Sequence, residues 1–162
     1  MKKFLLIILF SSLILSGCTV QKSGKDLMGF TMKINELNEA YLLSPDGFIL
    51  NEAENTLSKF FIIDDYNILL SFEQDDKFRL IKCNITTEEA SLTNENVYNF
   101  VTDVLRSFIC DDDLTNTVLK EADFSNVIKA NTKNTIKVKN GNIELLLDVT
   151  EHGTVITVNK NI

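Results

Sequence analysis

A chain of 162 residues, 44% of them hydrophobic, is long enough for one domain with a core of its own. Its formal charge is −7, from 23 acidic against 16 basic residues, which excludes the basic footprint that a nucleic-acid binder needs to displace counterions from phosphate. One histidine, three cysteines and no tryptophan leave few side chains for metal, acid–base or sugar-stacking chemistry.

The chain opens on Lys2 and Lys3, followed over residues 4–14 by an apolar run that only Ser11 and Ser12 interrupt. That run is too short for a hydrocarbon core, which needs about 20 residues. A basic start, a short apolar middle and small residues after it describe an export signal. The small residues are Leu15-Ser16-Gly17-Cys18, and this string resembles the lipobox of bacterial lipoproteins. The resemblance implies cleavage after Gly17 and a diacylglycerol on the Cys18 thiol, with no other cofactor. Two acyl chains hold firmly where one is marginal. The first expected partner is therefore the cell membrane, reached through the lipid, with the body facing outside the cytoplasm. Thr19 stands where an aspartate would retain a lipoprotein in a Gram-negative inner membrane. With the abundance of Asn, Ile and Lys, this favours a Gram-positive surface.

Loss of Lys2 and Lys3 with the signal takes the charge from −7 to −9. A body so acidic is not drawn to anionic lipid, so the anchor does the holding. Residues 1–17 read as signal peptide, 18–29 as a lipidated tether short of large apolar side chains, and 30–162 as a single domain.

Within that domain Thr31 is placed to cap a helix running to about residue 43, with Ile34, Leu37 and Tyr41 on one face. Ser44-Pro45-Asp46-Gly47 ends it. Residues 48–57 are ambiguous, irregular or a short second helix. A period of two then gives strands over 59–63, 68–74 and 77–84, with turns at Asp64-Asp65-Tyr66-Asn67 and Asp75-Asp76. Thr93 is placed to cap the strongest helix, to about residue 109, with Val97, Phe100, Val101, Val104, Leu105 and Phe108 in one stripe. Asp111-Asp112-Asp113 breaks it and can cap a short helix over 114–122. Strands follow over 135–139, 142–150 and 154–159. Asn140-Gly141 is a two-residue hairpin signal in which both positions need positive φ, and Glu151-His152-Gly153 makes the last turn.

The halves, about 30–85 and 92–160, overlay without a gap at an offset of 75, which puts Ile68, Leu70 and Phe72 on Ile143, Leu145 and Leu147. The expected fold is α+β: an antiparallel sheet of about six strands packed by helices, built from a repeated helix-then-three-strand module. Across residues 31–159 this element order is faintly similar to the tandem helix-and-sheet modules of β-lactamase inhibitor protein. That resemblance raises the prior for binding only slightly, since fold does not fix function.

The chemistry is sparse. His152 sits in a turn, where nothing orients it from both sides as a catalytic base requires. Cys83 and Cys110 read as small buried hydrophobes more readily than as a disulfide or a nucleophile. A zinc site lacks its paired ligands. An EF-hand counted from Asp111 finds Ala122 where its glutamate should stand. The glycines are scattered, so no phosphate loop exists.

The useful hint is the outward face of the sheet. If the apolar triplets face the helices, Leu69, Ser71, Glu73, Glu144, Leu146 and Asp148 face out, mixing leucines with carboxylates as a partner-binding surface does. The bland alternative is that the 48–57 segment covers Leu69 and Leu146, or that both are tolerated outside. The expected role is a noncatalytic binding or accessory module for a protein or envelope ligand. The alternatives are a small carboxylate-based envelope hydrolase and a structural or phage-exclusion surface lipoprotein.

Overall fold

A computed structural model describes residues 26–130 and 133–161 of the chain. Gly17 and Cys18 lie outside the described residues.

The first helix, α1, is Leu27–Leu37. Its cap is Asp26, whose carboxylate accepts from the Gly29 N–H at 2.7 Å. Thr31, the expected cap, is instead buried within the helix and donates its hydroxyl to the Met28 carbonyl at 3.0 Å. Residues 27–29, assigned to the tether from sequence, are thus helical. The helix also stops short of residue 43. Asn35 fixes the exit by donating to the Leu43 carbonyl at 2.9 Å and accepting from the Leu43 N–H at 2.8 Å.

A short 3-10 turn, Pro45–Gly47, leads into strand β1, Ile49–Asn51. Then come β2 (Thr56–Ile63), β3 (Tyr66–Gln74) and β4 (Leu80–Glu88). Asp64 and Asp65 have φ of 48° and 70°, the double left-handed conformation of a type I′ hairpin turn. The turn after β3 is longer than Asp75-Asp76, which is why β4 starts at Leu80 and not at 77. The Asp75 carboxylate accepts from the N–H groups of Lys77 and Arg79, both at 2.9 Å, and from Arg79 Nε at 2.6 Å. These bonds, the Arg79 guanidinium foremost, hold its carboxyl below the usual range.

Helix α2, Glu95–Ile109, is capped by Asn94 and not Thr93; the Asn94 side chain accepts from the N–H groups of Asn96 and Val97. Asp111 caps α3, Asp112–Glu121, accepting from the Leu114 N–H at 2.8 Å. A further helix, α4 (Phe124–Ala130), has no counterpart in the sequence reading. Strands β5 (Asn134–Asn140), β6 (Ile143–Thr150) and β7 (Gly153–Lys160) close the domain. In the β5–β6 turn only Gly141 has positive φ, at 56°. Asn140 belongs to the strand, opposite Ile143.

The sheet is antiparallel throughout, in the order β1-β2-β3-β4-β7-β6-β5. It has seven strands, not six. The extra one is β1, whose three residues are too few to show a period in the sequence. Two three-strand meanders meet where β4 pairs with β7, Ile85 opposite Ile156. Gly153 makes that junction possible, because a Cβ there would lie 2.0 Å from the Thr87 carbonyl oxygen.

The offset of 75 holds for β3 against β6, but the gapless overlay does not extend to their neighbours. Phe72 pairs with Leu57 and Leu147 with Ile136, an offset of 136 − 57 = 79. On the other side Cys83 and Ile156 differ by 156 − 83 = 73. The turns before β3 and β6 are both two residues long but fall at different distances from Phe72 and Leu147, and the turn after β3 is longer than Glu151-His152 after β6.

Ile68, Leu70, Phe72, Ile143, Leu145 and Leu147 are buried beneath the helices, as are all six residues of the α2 stripe. Phe72 is the hub, with ring centroids 4.7 Å from Phe30 in α1 and 6.0 Å from Phe108 in α2. Aromatic pairs at such separations add about 0.5–1.5 kcal/mol beyond area burial.

Candidate functional site

Side chains alternate across a strand, so burial of one row leaves the next on the uncovered face. Leu69, Ser71, Glu73, Glu144, Leu146 and Asp148 all lie there, each half-buried. They do not form one cluster. β4 and β7 separate β3 from β6, and Leu69 is level with Asp148 and not with Leu146, so the two leucines stand about 16 Å apart, three strand spacings across and two residues along. Apart from Val155, polar residues such as Asn84, Thr86 and Thr157 fill the gap, with the Thr157 hydroxyl donating to Asn84 Oδ1 at 2.9 Å. The carboxylates are already engaged. Glu73 pairs with Lys82 at 2.5 Å and Glu144 with Lys137 at 3.1 Å, while Asp148 accepts from the Thr135 hydroxyl at 2.7 Å. The 48–57 segment covers neither leucine, because it runs within the sheet as β1 and the start of β2.

The apolar part of this face is concentrated at one side. Ile49 in β1 and Phe60 and Ile62 in β2 are 74%, 71% and 73% exposed. Phe60 is directly opposite Leu69, and Ile62 opposite Asn67. Three large, solvent-facing hydrophobics beside Leu69 make a patch of the kind that marks an interaction surface. The sequence reading did not assign these residues to a face. The alternation of Phe60 and Ile62 with Lys59, Phe61 and Ile63 was the signal that carried it. Lys59 belongs to the opposite, helix-facing row, with its ammonium 5.6 Å from the Phe48 ring centroid and 5.3 Å from that of Phe61.

At the far side a polar cleft of about 570 Å³ is lined by Lys133, Thr135, Asp148, Glu151 and His152, among others. Glu151 is neutralised by Lys133 at 2.6 Å, and the His152 side chain is 88% exposed with Glu151 alone beside it at 3.6 Å. Among the described residues nothing there orients the imidazole from a second side, as a general base needs.

Both cysteines with described environments are free. Burial pushes the Cys83 and Cys110 thiols up, away from the thiolate that nucleophilic chemistry uses. Asp111 works as a helix cap, and among the described residues no group of three His, Cys, Asp or Glu side chains converges to hold a metal ion. Two titratable groups near the β2 side are shifted. Burial raises the carboxyl of Asp103 on α2, and burial together with Asp103 raises the Tyr41 phenol. Tyr41 and Phe61 both rest on Phe100, at 4.9 and 5.0 Å between centroids.

No protein family, curated protein or solved structure matches the chain. The likeness to β-lactamase inhibitor protein therefore adds nothing to the site. Among the described residues no helix is long and apolar enough to cross a membrane.

Proposed function

We propose that the chain is an acyl-anchored, extracytoplasmic binding module that takes a protein or envelope ligand on the uncovered face of its sheet. The observation that carries the reading is the exposed row of Ile49, Phe60 and Ile62 beside Leu69. Solvent-facing residues of this size add little to stability, so their clustering is best explained by a partner that covers them. Anchorage rests on Leu15-Ser16-Gly17-Cys18, with cleavage after Gly17 and diacylglycerol on Cys18. We read the two meanders as a duplicated unit whose strands, and whose second turn, have since changed length.

Two experiments test this reading. Mass spectrometry of the native protein should find a mature chain starting at a lipid-modified Cys18; an unmodified terminus removes the anchor. Affinity capture from the host's own envelope fraction should yield a partner that is lost with Phe60→Ser, Ile62→Ser and Leu69→Ser together. Undiminished capture by that folded variant sinks the binding face.

A further inference from the structure

We propose that the open edge of β2 binds its partner by strand addition, taking up an extended protein segment with apolar residues at alternate positions and a lysine or arginine at the end that lies beside Asp64 and Asp65. This rests on the binding-module reading and specifies its partner and mode.

The edge is open because β1 is so short. It pairs with β2 only at Thr56, Leu57 and Ser58, leaving residues 59–63 without a neighbouring strand on that side among the described residues. The direction of the backbone groups follows from the hairpin. Ile63 and Tyr66 flank the two-residue Asp64-Asp65 turn and are therefore a hydrogen-bonded pair. Hydrogen-bonded and non-hydrogen-bonded pairs alternate along an antiparallel ladder. Ile62 and Phe60 thus aim their N–H and C=O groups away from β3. Ser58, in the same phase, pairs with Ile49 of β1; Phe60 and Ile62 have no such strand beside them. Among the described residues no turn, loop or cap backbone group bonds to residues 59–63. That is four main-chain groups in a row, the main-chain requirement for an added strand.

The side chains agree with the backbone. Phe60 and Ile62 project from the same uncovered face as Ile49 and Leu69. They would meet alternate side chains of an added segment of about five residues, or roughly 17 Å. Charge then selects the segment. Asp64 and Asp65 occupy the turn at the end of this edge, with Asp64 Oδ2 accepting from the side-chain amides of Asn94 and Asn96 at 3.2 and 2.7 Å. Neither has an ion-pair partner among the described residues. The cation of β2, Lys59, is turned to the other face over its two rings. A cation at that end of the added strand complements the turn. A second copy would bring the same carboxylates and a chain of −7 against itself.

The test uses the full chain in detergent micelles and a synthetic peptide of alternating valine and threonine ended by two lysines, with the same peptide ended by two glutamates as control. Amide exchange at Phe60 and Ile62 should slow by about tenfold or more with the lysine peptide, and not with the glutamate peptide. Ile62→Pro removes one outward N–H, a change that edge strands tolerate, and should abolish the protection. If that variant unfolds, Ile62→Lys serves in its place, since lysine guards an edge without disturbing the ladder. Unchanged exchange, or equal protection by both peptides, overturns the proposal. So does protection that rises with protein concentration and no peptide, which would assign the edge to a second copy. Capture of an envelope partner that leaves these two amides exchanging freely would overturn strand addition alone and leave the preceding reading standing.

Discussion

At the β5 edge the outward row reads Thr135, Lys137 and Lys139, with Lys137 paired to Glu144 at 3.1 Å. At the β2 edge the corresponding row reads Phe60 and Ile62, both more than 70% exposed. Exposed edges carry unpaired main-chain groups, and proteins commonly guard them with lysine to prevent adventitious pairing. One edge of this sheet is guarded in that way. The other has its lysine, Lys59, folded under the sheet against Phe48 and Phe61. Both edges belong to the same small domain, so the difference is not a matter of general surface composition. It teaches that the two edges are built by different rules, one guarded by lysine and the other left apolar.

The largest expected effect separates the two faces of the same hairpin. Phe72→Ala on β3 empties the hub between Phe30 and Phe108 and should cost about 3–5 kcal/mol in urea unfolding. Phe60→Ala on β2 removes a ring that water already surrounds, and should stay within about 0.5 kcal/mol. A Phe60→Ala cost comparable to that of Phe72→Ala would make the apolar edge part of the scaffold, and the contrast between edges would lose its meaning.

A second experiment exchanges the edges. Lys137→Phe with Lys139→Ile gives β5 the character of β2 and should produce concentration-dependent self-association in sedimentation. The reciprocal Phe60→Lys with Ile62→Lys should cut hydrophobic-dye fluorescence by more than about half. If the doubly apolar β5 edge stays monomeric, lysine is not what protects it.

Much of the architecture was legible in the sequence because it was written in long, regular patterns. The α2 stripe and the alternation in β3 and β6 each span many residues, and their buried rows lie as the period requires. The elements that went astray were fixed by tertiary bonds with no periodic trace. Asn35 clamps Leu43 across the end of α1, Asp75 gathers the turn before β4, and β1 exists only because Ile49, Leu50 and Asn51 find β2. The candidate site divides in the same way. Its face could be read from alternation, but its centre of gravity could not. Which of the outward residues lie together depends on the strand order, and β4 and β7 come between Leu69 and Leu146.

The smallest expected effect concerns what lies beneath the open edge. Asp103 is held half-buried on α2 near Tyr41, and burial raises its carboxyl above the ordinary value despite Arg106. A carboxyl raised on folding stabilises the folded state in its protonated form. That contribution is complete below the unfolded value, near 3.8, and is lost as the pH climbs through the folded one. At neutral pH the ionised group is therefore a cost that the β2 side bears. Asp103→Asn should raise Tm at pH 7 by about 1–2 °C, and the gain should vanish near pH 3. Asp75, in the turn before β4, has the opposite sign: its carboxyl is lowered, so its contribution fades as the pH falls through the folded value. A gain from Asp103→Asn that persists undiminished in acid would mean that shape, and not the buried charge, sets the cost under this edge.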